Sequence, residues 1–572
     1  MRSIRITTFS LVLMIGAFLA LAWRCFDLQY FKSEHYVDAC LRQQRSYQPQ
    51  TPQRGVIVDC RGRILAASSK VLQVFAEPRL IEEPKAVSSE LAEIIDMPAH
   101  EICRLITDSN NRGYVKIKAD MGPNTRDIVL GRMPGTRRIH RGIGVESAWE
   151  RRYPMDRLAA MVVGFTSSME SRGLAGIEYQ YEEALRGSSQ RNIFLADAAR
   201  RPLRLKEHSG ALADGAGIIL TIDATIQQFA RDELARQYES YEAESAVAIV
   251  AEPADGAILA MVSLPDFDPS QAGSTDANNL RNRSITDPFE PGSILKPIVA
   301  AVALEAEVVN TNEKIFCENG NYRGKGFGRI GEYRRGFGNL TLREILTNSS
   351  NIGMAKIGQR LGAKRLYEGL RLFGFGKLTG LDLPGEGEGF LRAPGQWTGY
   401  SVTRIPFGQE IMVTSIQLVQ AFCILSNGGR LVRPHVVKAM VGPDGRIMRL
   451  GGAPPVGHVV KPEVANWVVR KALVSVVNEG TGKRAKLKQW QVFGKTGTAN
   501  VARSDGPGYS DTDYVASFIA GAPAEDPAVV VLVSVRKPNR SLGRGYTGGV
   551  VSAPVAARIL EKTLTYLRRQ RR

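Results

Sequence analysis

Cysteine is scarce in this chain. The six residues Cys25, Cys40, Cys60, Cys103, Cys317 and Cys423 are scattered over 572 positions with no C-x-x-C pair. That spacing offers no zinc or iron–sulfur framework, and the low density argues against a disulfide-stapled domain. Long apolar runs are scarcer still: one segment alone can cross a bilayer, which excludes a polytopic membrane protein. Internal repeats and long low-complexity tracts are missing, as are metal, nucleotide and nucleic-acid recognition motifs. Hydrophobic residues at 44% and charged residues at 23% describe an ordinary globular chain and exclude a mainly disordered one. Acidic residues are in deficit, 57 against 75 Lys and Arg, for a formal charge of +18. Such an excess suits nucleic acid, anionic lipid, an anionic polymer or plain solubility, and does not choose among them. It includes a basic tail, Arg568, Arg569, Arg571 and Arg572, read here as a solvated surface beside anionic lipid and polymer.

From Ile6 to Trp23 no residue is charged, and Arg5 and Arg24 bound the run. Eighteen residues lie near the lower limit for a membrane-spanning helix. Arg2 and Arg5 precede it, so the positive-inside rule puts the short N-terminal tip in the cytoplasm and the rest outside. Ala20-Leu21-Ala22 resembles a signal-peptide cleavage site, yet it lies inside the apolar run and before bulky Trp23. An uncleaved anchor is therefore expected.

Residues from about 32 to 210 are polar, Arg-rich and punctuated by glycine, with strand-like pieces such as Val56 to Val58. Beyond them Gly217 to Ile222 reads as a strand ending at Asp223, a helix N-cap, and Ile226, Phe229, Ala230 and Leu234 recur at helical spacing. Ala246 to Val250 and Ile258 to Val262 flank a turn over Pro253-Ala254-Asp255-Gly256 and predict a hairpin. Tyr514 to Ala520 and Val529 to Val535 predict strands, the second buried on both faces. An apolar stripe from Val555 to Leu567 predicts a closing helix. One large mixed α/β domain follows from about 220 onward.

Three short motifs carry chemistry: Ser293-Ile294-Leu295-Lys296, Ser349-Ser350-Asn351 and Lys495-Thr496-Gly497-Thr498. Each is weak alone. S-x-x-K recurs at Ser534 to Lys537, but there it lies in a strand, where residues three apart point to opposite faces. Ser293 instead opens a helix over Ile298 to Leu304, and Pro297 is tolerable only near a helix start. At helical spacing Lys296 neighbours Ser293, and a desolvated lysine can take the proton that makes a serine nucleophilic. Ser349 and Asn351 supply a second hydroxyl and an amide. Thr496 and Thr498 share one strand face, fit to grip an anionic group, with Lys495 on the other; Gly497 lets a substrate backbone approach. The order of the three motifs, each in compatible local structure, is what gives them weight.

On these residues the chain resembles the class B penicillin-binding proteins over nearly its whole length. Asn282-Arg283, Asp287 and Phe289 to Ser293 match the family's approach to its nucleophile, Leu340-Thr341 through Asn351 the second motif, and Phe493 to Ala499 the third. Arg54-Gly55, Ile57, Asp59, Gly62, Leu65-Ala66, Arg152-Tyr153-Pro154, Gly164-Phe165 and Gly176-Ile177-Glu178 look like the family's non-catalytic pedestal signature. Asp156 and Met161 depart from its usual Gly and His, and Glu410 from a frequent Gly. The resemblance implies a serine β-lactamase-like transpeptidase domain over 216–572, an α+β pedestal of the dimerisation type over 32–215, and an anchor over 1–31.

It further implies acyl transfer on peptidoglycan stem peptides, without a cofactor or metal. Ser293 would be the nucleophile and Lys296 its base. Ser349 would relay a proton, Asn351 would hold the substrate amide, and Lys495 would supply positive potential. Thr496 and Thr498 would bind the terminal carboxylate beside Gly497, and the Ser293 and Thr498 amides would form the oxyanion hole. β-Lactams would acylate Ser293. The implied role is most like the division (septal) branch, with a polytopic glycosyltransferase and other division proteins as partners. A D,D-carboxypeptidase or a β-lactam sensor of the same fold is the alternative.

Overall fold

The computed structural model describes residues 2–37, 45–50, 52–122, 124–131, 139–167, 171–188, 190–196, 202–209, 213–333, 336–451, 457–503, 506 and 508–570; Cys40, Arg571 and Arg572 fall outside them. The chain forms two compact units. Met1–Gln53 and Arg186–Gly215 make the first. It holds the helix Arg2–Phe26, continued by the wider turn Asp27–Phe31. Within it the stretch Ile6–Phe31, mean hydropathy 2.1 and unburied, is long and apolar enough to cross a membrane. The unit also has an antiparallel sheet in which Gln190–Ala196 pairs with both Arg45–Gln50 and Pro202–Ser209.

Arg54–Leu185 and Ala216–Arg572 make the second unit, whose architecture is mixed α/β. Its central sheet is antiparallel, in the order Ile258–Leu264, Ser245–Ala251, Val529–Arg536, Tyr509–Ala522, Phe493–Ala502. The middle strand explains the layering. Val529, Val531, Val533 and Val535 pack into one apolar core with the helices Ala224–Ser240 and Ala553–Gln570, while Val530 and Leu532 enter a second core. Period-two alternation thus feeds two cores from a run that is apolar at nearly every position. The second core contains the nearly all-buried helices Lys296–Glu305 and Ser415–Ser426. Among the described residues Phe493–Ala502 is the edge strand of this sheet.

A second sheet of seven strands runs from Ile447–Arg449 and Val437–Val441 through Gly217–Leu220 to Ile57–Val58, Ile64–Ala76 and Val115–Met121, with Ile143–Arg152 also paired to Ile64–Ala76. Polar residues of the pedestal signature are buried around it as ion pairs. Glu178, fully buried, accepts from Arg54 Nε at 2.6 Å and Arg151 Nε at 2.7 Å. Asp59 and Asp223, also buried, share Arg63, and Asp223 caps the helix Ala224–Ser240 through the Thr225 amide at 2.9 Å. Buried charges persist only when paired in this way. The departures have a backbone meaning: Asp156 and Glu410 are left-handed, with φ of 45° and 59°, a conformation glycine adopts at least cost. Met161 is buried beside Phe267.

Candidate active site

Ser293 lies in the tight helical turn Gly292–Leu295, which runs straight into the helix Lys296–Glu305. Pro297 sits in the first helical turn, where its missing N–H breaks no bond. Ile294 and Leu295 are fully buried and pin the turn, leaving the Ser293 hydroxyl at the surface of the core. Gly292 has φ +53° and its amide donates to Gly408 O at 3.1 Å. Gly408, φ +86°, is so close that a Cβ would stand 2.0 Å from Gly292 O. The edge strand presses on the same turn: a Cβ on Gly497 would meet Ile294 Cγ1 at 2.9 Å and Pro291 O at 3.0 Å.

The second motif is a junction of two helices. Thr341 and Glu344 form a capping box that starts the helix Leu342–Asn348, which ends at Ser349 in the left-handed conformation, φ +60°. Ser350 then caps the helix Asn351–Leu372, accepting from the Gly353 amide at 3.0 Å. The reversal at Ser349 turns its hydroxyl toward the nucleophile.

Three of the expected catalytic groups, Ser293, Lys296 and Lys495, meet at this hydroxyl, and Asn351 joins through Lys296. Ser349 Oγ donates to Ser293 Oγ at 3.0 Å and accepts from Lys296 Nζ at 3.2 Å and Lys495 Nζ at 3.0 Å. One donor and two lone pairs are thereby used in full. Lys296 Nζ also donates to Ser349 O at 2.6 Å and Asn351 Oδ1 at 2.7 Å. Helical spacing suggested a direct Lys296–Ser293 contact; among the described residues no hydrogen bond joins the two, and Ser349 stands between them.

Both lysines are wholly buried. Burial pushes Lys296 down to about 7 from its ordinary 10.5, against the opposing pull of the Glu332 charge. Lys495 is held well below the usual lysine range by burial, then by the charge on Lys296. A lysine neutral near pH 7 is a base. Above the cluster opens a cleft of about 460 Å³, lined by Ser293, Ser349, Asn351, Thr496 and Thr498 among others. Thr496 Oγ1 is 2.7 Å from Thr481 Oγ1, and Thr498 Oγ1 accepts from the Gly548 amide at 3.1 Å.

Comparison with known proteins agrees with this geometry. Residues 246–561 match the family described as the penicillin-binding protein transpeptidase domain, and residues 49–218 match the penicillin-binding protein dimerisation domain. The chain is a member of the penicillin-binding transpeptidase family. Stage V sporulation protein D of Bacillus subtilis is 33% identical over 91% of this chain and 79% of its own. A probable peptidoglycan D,D-transpeptidase, PenA, of Neisseria meningitidis is 30% identical over 90% of this chain and 84% of its own. The crystal structure of penicillin-binding protein 3 from Mycobacterium tuberculosis with aztreonam superposes at a TM-score of 0.70. It is 25% identical and covers 91% of this chain and 97% of that one.

Within this penicillin-binding transpeptidase two residues at the cleft escaped sequence reasoning. Glu332 bonds to the second motif, and its approach is visible only after folding. Glu290 lines the cleft, raised above the usual carboxylate range by burial, with Tyr509 Oη donating to it at 2.9 Å and the Glu410 amide at 3.0 Å. Glu290 belongs to the Phe289-Glu290-Pro291-Gly292 approach, so a charged residue three before the nucleophile was the available signal.

Proposed function

We propose that this chain is a peptidoglycan D,D-transpeptidase, cross-linking stem peptides through an acyl-enzyme at Ser293. The observation that carries the reading is the single hydroxyl, Ser349 Oγ, bonded at once to Ser293, Lys296 and Lys495 at the foot of an open cleft. Ser293 Oγ attacks the carbonyl between two terminal D-alanines. Its proton passes to Ser349 Oγ while the Ser349 proton passes to neutral Lys296, since hydroxyl rotors can turn to suit. The tetrahedral oxyanion is held by the Ser293 and Thr498 amides, each donor worth about 3–4 kcal/mol in such sites. Collapse breaks the peptide bond. The departing D-alanine amine takes its proton back through Ser349, and an acceptor amine then displaces Ser293 from the acyl carbon. Asn351 orients the substrate amide, Lys495 stabilises the developing negative charge, and Thr496 and Thr498, beside the side-chain-free Gly497, bind the terminal carboxylate.

In this reading 1–31 is a single anchor with the catalytic part outside the membrane, 32–215 the pedestal and 216–572 the transpeptidase domain. The partners are a polytopic glycosyltransferase that supplies glycan strands and other division proteins, and β-lactams act as inhibitors. Intact-mass spectrometry after exposure to a penicillin tests the nucleophile: wild type gains one adduct, and equal labelling of Ser293→Ala would reject it. Incubation with a stem peptide and an acceptor amine tests the acyl acceptor: hydrolysed product alone means a carboxypeptidase. Imaging of a fluorescent fusion tests a septal role, which a signal confined to the lateral wall would refute.

A further inference from the structure

The Gly331–Glu332 segment sits against the second motif from outside it. The strand Gly328–Gly331 pairs with Asn321–Gly324, and Glu332 follows directly. Its carboxylate takes three donors at the start of one helix. Glu332 Oε1 accepts from Ser350 Oγ at 2.6 Å and the Ile352 amide at 3.2 Å, and Oε2 accepts from the Asn351 amide at 2.8 Å. The preceding carbonyl completes the grip: Asn351 Nδ2 donates to Gly331 O at 3.1 Å. That bond decides which way the amide points. With Nδ2 committed to a carbonyl, Oδ1 faces the Lys296 amine, 2.7 Å away; a flipped amide would set Oδ1 against Gly331 O, acceptor on acceptor, and turn its N–H groups on the amine that now donates to it. Among the described residues Gly331 O is the one acceptor of the Nδ2 group, and Asn351 lines the cleft.

We propose that Glu332 is a positioning residue of this site, holding Ser350 and Asn351 in register with Lys296 and setting the charge the lysine experiences. This rests on the acyl-transfer reading above. Among the described residues the carboxylate makes no hydrogen bond to Ser293; it acts through Asn351 and the field at Lys296. It is the carboxylate that offsets burial of the lysine, and so it raises the pH at which Lys296 becomes a base. The other groups around the lysine do not duplicate it. Lys495, on the edge strand, brings no negative charge and is reached through Ser349 Oγ, and Ser349 and Asn351 are neutral. Farther out the Cys317 thiol, raised above the usual thiol range by burial, lies 3.6 Å from Ser350 Oγ, and Lys356 and Glu318 pair with each other.

The test uses the full chain and the rate of Ser293 acylation by a fluorescent penicillin between about pH 5 and 9. Removing the negative charge lowers the lysine pKa, so the acidic limb of the profile in Glu332→Gln moves to lower pH, by roughly half a unit or more. The plateau falls about tenfold or more as Asn351 loses its register. Glu332→Asp keeps the charge, so its limb stays at the wild-type pH while the shorter side chain lowers the plateau. If Glu332→Gln does not fold, Glu332→Ala removes the same charge and is read for the same shift of the limb. A wild-type profile in Glu332→Gln overturns the proposal. So does a lowered plateau with an unmoved limb, which is what a purely structural contact gives, or a limb displaced in Glu332→Asp. Failure of wild type to be labelled at Ser293 is a different result, and rejects the acyl-transfer reading itself.

Discussion

Replacing Lys296 by methionine should make the protein more stable at neutral pH while abolishing acylation of Ser293. The lysine is wholly buried, and its pKa falls from 10.5 to about 7 on folding. A lowered lysine pKa means that the unfolded chain binds the proton more tightly than the folded one. Below pH 7 both states are protonated and the folded state carries the whole penalty. As pH rises from about 7 to 10.5 the folded lysine is already neutral while the unfolded one is still losing its proton, so stability climbs through that window. The fall from 10.5 to about 7 corresponds to about 5 kcal/mol, at roughly 1.4 kcal/mol for each tenfold change in proton affinity.

Methionine of similar length fills the space without a charge. Of the three acceptors that lose the lysine donor, Ser349 Oγ keeps Lys495 and Asn351 lines the open cleft, so Ser349 O alone is left bare, at a cost of about 1–3 kcal/mol. The net gain at pH 7 is then about 2–4 kcal/mol, and relief of the charge beside Lys495 adds to it. Paired denaturation of full-length wild type and Lys296→Met in detergent, at pH 7, 8.5 and 10, reads the difference, because other titrating groups are common to both chains. The gap should be widest at pH 7 and close toward pH 10. A gap that stays constant with pH, or a variant less stable than wild type at pH 7, would refute the reasoning that burial is what makes Lys296 a base.

Ser349→Ala removes the hydroxyl that joins both lysines to Ser293, and stopped-flow acylation by a penicillin should slow by about 10²–10⁴-fold; a loss under threefold would show that Lys296 reaches Ser293 without it. Gly408→Ala puts a Cβ where only 2.0 Å separates it from Gly292 O, at φ +86°, so the nucleophile turn must shift. The backbone strain alone is about 1–2 kcal/mol, and thermal melting with the acylation assay should show lower stability and slower labelling together.

What could be seen in the chain beforehand follows from how far apart in sequence the cause of each feature lies. Ser293 and Lys296, or Thr496 and Thr498, are three and two residues apart, and helix and strand periods suffice to put each pair on one element at the cleft, though not to set their contacts. The valine run Val529 to Val535 likewise announces a strand between two cores, because a half-buried strand would alternate. Period reasoning stops at the contact between motifs. It set Lys296 beside Ser293, whereas the left-handed Ser349 inserts its hydroxyl between the lysine and the nucleophile. A serine gives no local sign of that conformation; the same holds for Asp156 and Glu410, recognisable as replacements of glycine but not as residues at positive φ. Glu332 lies eighteen residues before Ser350, across a short strand and a helix, and nothing in a tripeptide S-S-N asks for a carboxylate. The physical demand does exist: a buried helix start exposes amide N–H groups, and Asn351 must present oxygen, not nitrogen, to an amine. Those demands are met by whichever acceptor the fold delivers, and so they constrain the structure strongly while leaving almost no trace in local sequence.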